Sequence, residues 1–296
     1  MLDLYDFLAS VDFVIDEADS RLMRGLSNHN YRVHADGVEY IVRLASPGAR
    51  ELGIDRETEA SALRWAFDAG FGAEIVHYSL PEGHMIAKAI DAPSISENPE
   101  CYRDPQALRR FTEVMKRIHD LPAVDHVFDP IQRVRTTTRR AIERGVELPR
   151  GLDDLLARLK EVESRRGTVP PEHWALCHND LFAGNILLSE PIRIIDWEFV
   201  GMGDIFFDLA TLALACDEFD PRTDERSEII VAAYFGGVSD THMQRIRDMI
   251  FVVQMHNIAW GLTHHLLGTD EHGWEGFTFF GFATELIEHL SQSAET

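Results

Sequence analysis

The sequence predicts an α+β fold in two lobes, a small β-rich lobe over residues 1–90 and a larger, mostly helical lobe over residues 91–296. Three observations carry this reading. Tyr31 to Ala35 and Val38 to Leu44 alternate apolar and polar residues around Asp36-Gly37, the pattern of an antiparallel hairpin. A stretch rich in Pro, Ser and Asn, Asp91 to Pro99, then interrupts the strand pattern as a linker would. Beyond it, Leu108, Phe111, Met115 and Ile118 recur at the spacing of one helix face.

After the hairpin, Glu51 to Ala69 reads as the single helix of the first lobe, stopped by Gly70. Ala73 to Tyr78 and His84 to Ile90 read as two strands joined by a turn at Pro81-Glu82-Gly83. In the second lobe, Pro122 ends the helix that carries Leu108, and two shorter helices run through 131–145 and 153–166. Arg133, Arg135, Arg139, Arg140 and Arg144 on the first of these read as a solvated face. Met249 to Leu267 is the longest apolar region, but Gln254, His256, Asn257, His264 and His265 interrupt it, so it is not a membrane span. His264 and His265 are adjacent and cannot share one helix face, which argues against a metal site there.

Composition narrows the partners. Asp and Glu number 50 against 28 Lys and Arg, a net charge of −22, and no basic footprint for nucleic acid is concentrated anywhere. Cys101, Cys177 and Cys216 show no paired spacing, which fits a reducing cytoplasm better than a disulfide framework. MLDLYDFLAS has no basic stretch ahead of an apolar one and does not read as a signal peptide.

The chemistry concentrates between Trp174 and Leu209. His178-x-Asp180 is followed by Asn185, then an apolar strand, then a second apolar strand, Ile192 to Ile195, that ends in Asp196. Two short strands around a tight turn bring Asn185 and Asp196 to adjacent strand ends facing one pocket. Asp180 is then placed to accept a hydroxyl proton, His178 is counted with it as a catalytic residue, and Asn185 and Asp196 offer oxygen ligands to Mg²⁺. Glu198 is a further metal contact, a supporting partner, or a charge paired with Arg193. The order resembles the protein-kinase signature, His-Arg-Asp, four residues and Asn, then Asp-Phe-Gly. Asn179 replaces the Arg that receives an activation-loop phosphate, so nothing here predicts phospho-regulation.

The chain resembles the choline/ethanolamine kinase branch of the aminoglycoside phosphotransferase-like kinases, whose fold is protein-kinase-like. His178-Asn-Asp-Leu-Phe-Ala-Gly-Asn-Ile-Leu is similar to that family's catalytic loop, and Ile195-Asp-Trp-Glu-Phe to its metal-binding segment. Phe207-Asp208-Leu-Ala is similar to the family's Phe-Asp-Leu-Ala/Gly segment. Gly25-Leu-Ser-Asn-His-Asn-Tyr is similar to its nucleotide loop, with Arg24 in place of the first glycine, and Ala259-Trp-Gly-Leu-Thr-His to its Trp-Gly-Leu-Trp helix. The resemblance implies that ATP phosphates meet Ser27, Asn28 and Arg43, and that Arg43 pairs with a helix carboxylate. Glu57 keeps the branch's spacing to Gly70 and is taken as that carboxylate, with Glu59, at the spacing of the aminoglycoside enzymes, as the alternative. It implies a hinge whose backbone from Lys88 to Ile90 holds adenine. His119 recurs in the superfamily and reads as a packing or capping residue. For the acceptor it implies an aromatic cage in which Trp260 is kept and Thr263 replaces the second Trp, with Phe279 and Phe282 as further aromatic walls and Asp217 and Glu218 as acids near the mouth.

The expected activity is therefore ATP- and Mg²⁺-dependent phosphorylation of a small amino alcohol. Two alternatives stand beside it: a sister kinase acting on thiamine, homoserine, methylthioribose or an aminoglycoside, or an inactive nucleotide-binding protein, against which the intact Asp180, Asn185 and Asp196 count.

Overall fold

The computed structural model describes residues 3–16, 20–23, 28–46, 48–49, 51–214, 222–268 and 277–292. The first lobe is an antiparallel five-stranded sheet of β1 (Arg21–Met23), β2 (His29–Ala35), β3 (Val38–Leu44), β4 (Ile75–Tyr78) and β5 (Met85–Lys88), in the order β1-β2-β3-β5-β4. The hairpin lies in the expected register, with Ala35 opposite Val38. Asp36 and Gly37 have φ of 52° and 71°, the paired positive values that a two-residue turn matching the strand twist requires.

Two helices, not one, accompany this sheet. Helix α1 (Leu4–Ser10), capped by Asp3, places Leu4, Phe7 and Leu8 against Val33, Val42 and Ile86 in a small core of its own. Seven residues give too short a periodic signal to read from sequence. Helix α2 (Arg56–Asp68) starts five residues later than expected because Asp55 caps it, its carboxylate accepting the N–H of Thr58 at 2.8 Å.

Between the lobes the Pro/Ser/Asn stretch is made of short 3₁₀ turns, Ile95–Glu97 and Pro99–Arg103. Helices α3 (Pro105–His119), α4 (Pro130–Glu143) and α5 (Leu152–Arg166) match the expected positions. The chemistry-bearing segment forms two small antiparallel ribbons, β6 (Trp174–Cys177) with β9 (Gly201–Asp204) and β7 (Ile186–Leu187) with β8 (Arg193–Ile194). Helices α6 (Phe206–Leu214), α7 (Thr223–Phe235), α8 (Asp240–Leu266) and α9 (Phe279–Gln292) complete the chain. Every residue of α6 is buried, and α8 packs against α4, α6 and α9, so the floor of the site rests on the core of the helical lobe. Phe71, just past α2, stacks on fully buried Trp197 at 6.0 Å, and its carbonyl accepts the N–H of Ile194 at 2.7 Å. These contacts join the lobes directly behind the catalytic segment. Among the described residues no helix is long and apolar enough to cross a membrane.

Where α8 crosses α9, Gly261 admits the partner backbone: a Cβ there would lie 2.7 Å from the carbonyl oxygen of Phe279. Replacing a helical Gly by Ala ordinarily gains about 0.5–1 kcal/mol, whereas overpacking costs about 1–3 kcal/mol. Gly261→Ala is therefore expected to destabilise the protein in urea unfolding. A stabilised variant would show that the crossing has slack.

Candidate active site

The catalytic loop is held from below by Asp208, on the first turn of α6. Its fully buried carboxylate accepts the backbone N–H groups of His178 at 2.9 Å and Asn179 at 2.8 Å, and Nε2–H of His119 at 3.1 Å. His119 is fixed in turn by the Tyr234 hydroxyl at 2.7 Å, so it supports the loop through packing and hydrogen bonds. Asn179 takes a left-handed φ of 63°, and its side-chain amide donates to the carbonyls of Cys177 and Phe199 at 3.1 and 3.0 Å. A short Asn occupies this strained turn where protein kinases carry Arg.

His178 does not reach a substrate. It is fully buried, its Nε2–H donates to the carbonyl of Ile195 at 3.1 Å, and its ring meets Trp197 edge-on at 4.7 Å. Burial pushes its pKa down to about 4, so the ring is neutral. The expectation of a catalytic role for His178 is thus corrected: it positions the loop against the strand end that carries Asp196.

Asp180, two residues on, is the carboxylate that faces the pocket. Asn185 donates from Nδ2 to both its carbonyl and its carboxylate Oδ2, each at 2.9 Å, which leaves the Asn185 Oδ1 to act as a ligand. Burial, then the charges of Asp196 and Glu198, push the Asp180 carboxyl well above the usual carboxylate range. Asp196 sits two residues beyond β8 with a left-handed φ of 61°. Burial and Glu198 raise its carboxyl to about 7, although its side chain keeps 37% of its exposure and so remains open to a ligand.

Arg43 closes the site from the sheet side. Its Nη1 lies 2.6 Å from Glu59 Oε1 and 3.7 Å from Asp196 Oδ1. The partner is Glu59, and the choice of Glu57 is corrected. Two residues along a helix turn the side chain through about 200°, so Glu57 points to solvent while Glu59 is fully buried. Tyr78 and Arg56 each hold Glu59 Oε2 at 2.6 Å. Arg56 also reaches Glu198 Oε2 at 3.4 Å, and Asn28 donates to that oxygen at 3.0 Å. Glu198 is therefore tied to Asn28 and Arg56; Arg193 donates instead to the carbonyl of Gly70.

Asp180, Asp196, Glu198 and Glu59 thus bring four carboxyls against the guanidiniums of Arg43 and Arg56. Four carboxyls beside an uncommitted amide oxygen make a donor set of hard oxygens that fits a divalent cation. His119, Cys177 and Asp208 also bring ligand-type atoms together. Asp208 is saturated by hydrogen bonds and burial keeps the Cys177 thiol protonated, so that cluster is packing.

The remaining expected residues divide. Ser27, Asp217 and Glu218 lie outside the described residues. Lys88 is exposed and paired with Glu74 at 2.7 Å. The backbone N–H groups of Lys88 and Ala89 donate to Glu74 and Glu39 carbonyls, so Ile90 is the first residue past the sheet. Trp260 borders a cleft, its ring edge-on to Phe279 at 5.0 Å and near Phe282 at 6.2 Å. Phe279 is fully buried and backs Trp260 instead of offering a wall. Sequence reasoning missed Arg56 and Tyr78, which no motif marks, and the inward turn of Arg133 between Phe128 and Phe199.

A buried, charge-rich cleft between a small antiparallel sheet and a helical lobe, with a base, an amide and strand-end acids in this order, defines a small-molecule kinase. The model of the phosphotransferase enzyme family matches residues 20–246, and the chain belongs to that family. Protein LicA of Haemophilus influenzae is 23% identical over 288 residues, covering 90% of this chain and 79% of that protein. Among solved structures, a choline/ethanolamine kinase family protein from Mesorhizobium loti superposes with a TM-score of 0.71 at 23% identity, covering 95% of this chain and 89% of the other. Choline kinase LicA from Streptococcus pneumoniae gives 0.70 at 18% identity, covering 98% of each. The fold is kinase-like, and the protein is a phosphotransferase.

The raised Asp196 carboxyl sets a test. In the folded state it holds a proton that the unfolded chain, with a pKa near ~4, has already released. Its ionisation therefore erodes stability progressively as pH rises from about 4 to about 7, and the cost is complete above that window. In chelator, Asp196→Asn is expected to melt above the wild type, by a margin that is larger at about pH 8 than at about pH 5. Added Mg²⁺ should raise the wild-type melting temperature and leave the variant's unchanged. A margin independent of pH would remove Asp196 from the acid cluster.

Proposed function

We propose that the protein transfers the γ-phosphoryl group of ATP to the hydroxyl of a small amino alcohol. The observation that carries this reading is the half-buried Asp180 carboxylate, held by Asn185 and near enough to Asp196 and Glu198 for their charges to raise it. Asp180 accepts the hydroxyl proton of the acceptor as the acceptor oxygen bonds to the γ-phosphorus. The bond from that phosphorus to the β–γ bridging oxygen breaks, and ADP leaves with its electron pair. Asn185, Asp196 and Glu198 would hold Mg²⁺, which when bound neutralises phosphate charge. Arg43, whose Nη1 pairs with Glu59 while Nε and Nη2 donate to the carbonyl of Gly83, sets a fixed positive charge 3.7 Å from Asp196, and Asn28 is tied to Glu198. The N–H of Ile90, beyond the last sheet hydrogen bonds, meets the adenine edge. Cys101 and Cys177 lie outside any disulfide, in keeping with work in a reducing cytoplasm.

On the acceptor side, Trp260 offers an aromatic face to the amine. Thr263, where a second Trp would complete a cage, is instead committed to hydroxyl contact with Thr137 at 3.0 Å. A cage missing that wall holds trimethylammonium weakly, so choline is a poor acceptor on this reading.

Asp180→Ala is expected to lower kcat by ~10²–10⁴-fold, the usual contribution of a positioned base, with the KM for ATP nearly unchanged. A variant that keeps a quarter of wild-type turnover, with chemistry rate-limiting, would remove Asp180 from the mechanism. Trp260→Ala should raise the acceptor KM by ~3–30-fold, the equivalent of about 0.5–2 kcal/mol of cation–π contact, with a smaller change in kcat. An unchanged acceptor KM would place the amine elsewhere.

A further inference from the structure

Helix α4 was expected to present its arginines to water. Arg135, Arg139, Arg140 and Arg144 do so, but Arg133 turns inward. Its guanidinium is sandwiched between the rings of Phe128 and Phe199, at 4.5 and 5.1 Å from their centroids. Among the described residues its side chain makes one hydrogen bond, from Nη2 to the carbonyl of Gly53 at 3.0 Å. Three other inward arginines close on acids: Arg43 and Arg56 on Glu59, and Arg166 on Asp204. Arg133 makes no such ion pair among the described residues. Asp129 and Glu198 act on it only through space, and burial outweighs both, lowering its pKa to about 10, so it stays charged at neutral pH. A largely buried cation without an anion is costly unless a ligand supplies one.

The guanidinium borders the same cleft as Trp260. This narrow space, open to solvent and with only ≈ 20 Å³ free in its interior, is lined by Arg133, Trp260, His256, Thr137, Thr263 and Glu51. His256 is buried and held neutral by burial and by Arg133, with a pKa of about 3, and its Nδ1 has no hydrogen-bond partner. The cleft therefore combines a fixed cation, an uncharged imidazole and a hydroxyl pair. The acid among its lining residues, Glu51, is exposed at the rim. Phe199, which stacks on Arg133, directly follows Glu198, so the cation stands between the carboxylate cluster and Trp260. A guanidinium packed against two rings, with only Nη2 donating to a carbonyl, keeps N–H groups that can donate to a carboxylate, the chemistry of a charge-assisted pair.

We infer that Arg133 receives a carboxylate of the acceptor, so that the molecule phosphorylated is a small alcohol bearing a carboxylate, with any amine directed to Trp260 and Glu51. This rests on the phosphotransferase reading of the site and narrows its acceptor to hydroxy acids and hydroxy amino acids.

The test uses matched acceptors that differ by one carboxylate: serine against ethanolamine, homoserine against 3-amino-1-propanol, and glycerate against glycerol. Each is assayed with Mg·ATP and, separately, by calorimetric binding to the protein with Mg·ADP. In at least one pair the acid is expected to exceed its partner by ~10–100-fold in kcat/KM and in affinity, the range of a charge-assisted pair. Arg133→Met should erase that preference through the acceptor KM while the KM for ATP and the melting temperature hold, and Arg133→Lys should restore part of it. A wild type that prefers the uncharged or amine-only member of every pair overturns the proposal. So does an Arg133→Met enzyme whose defect lies in the KM for ATP, which would assign the guanidinium to phosphate. Preferential binding of an acid, lost in Arg133→Met but without turnover, would support the carboxylate site and refute the kinase reading instead. Equal binding of both members with turnover intact would do the reverse.

Discussion

A carboxylate taken wholly out of water must have its lone pairs filled, and Asp208 shows how much structure that requirement can organise. Both of its oxygens accept backbone N–H groups from His178 and Asn179, and His119 supplies a further donor. The residues it holds immediately precede Asp180, so one carboxylate on the first turn of α6 sets the position of Asp180. Removing it would leave two amides and an imidazole unsatisfied in a dry interior, each costing on the order of 1–3 kcal/mol. Because α6 is itself buried against α8, the placement is inherited from the core of the helical lobe.

The opposite wall obeys a different logic. Arg43, Glu59, Arg56 and Glu198 form an alternating chain of charges that runs from β3 through α2 to the segment after β8. Such a chain is a weak source of net stability, since desolvation offsets much of the attraction. Its effect is geometric: it ties the sheet to the helical lobe at the height of the carboxylates, where a small displacement of Arg43 would change the field at Asp196. The sheet side and the carboxylate side of the cleft thus share one network.

Much of this was legible in the sequence because the signals were local. The hairpin announced itself through two turn residues with positive φ, and His178, Asp180, Asn185 and Asp196 fall in one short stretch whose order encodes its geometry. The features that escaped the sequence depend on rotation about helix axes. Glu57 and Glu59 differ only in which side of α2 they occupy, and spacing to Gly70 does not report that. Arg133 was grouped with four exposed arginines although Val134, Thr137 and Thr138, which share its helix, are buried. Its inward turn is made by Phe128 and Phe199, distant in sequence from one another and brought to it only by the tertiary fold. Trp260 borders the cleft whereas Phe279 is packing behind it, a distinction that only burial draws.

Two of the residues that shape the cleft, Asn179 and Asp196, hold left-handed backbone conformations without being glycine. Each costs on the order of 1–3 kcal/mol and persists only because its surroundings over-determine it. The same conformation recurs at Asp12 and Asp36, away from the site, but at Asn179 and Asp196 the strain sits beside the carboxylates and is held by the helices beneath. Loosening the core would release these two peptide units before the helices themselves melt, so loss of function should run ahead of loss of structure as the protein is heated or loaded with mutations. Tolerance to sequence change in this chain is set less by its overall stability than by how much of that stability reaches two backbone angles.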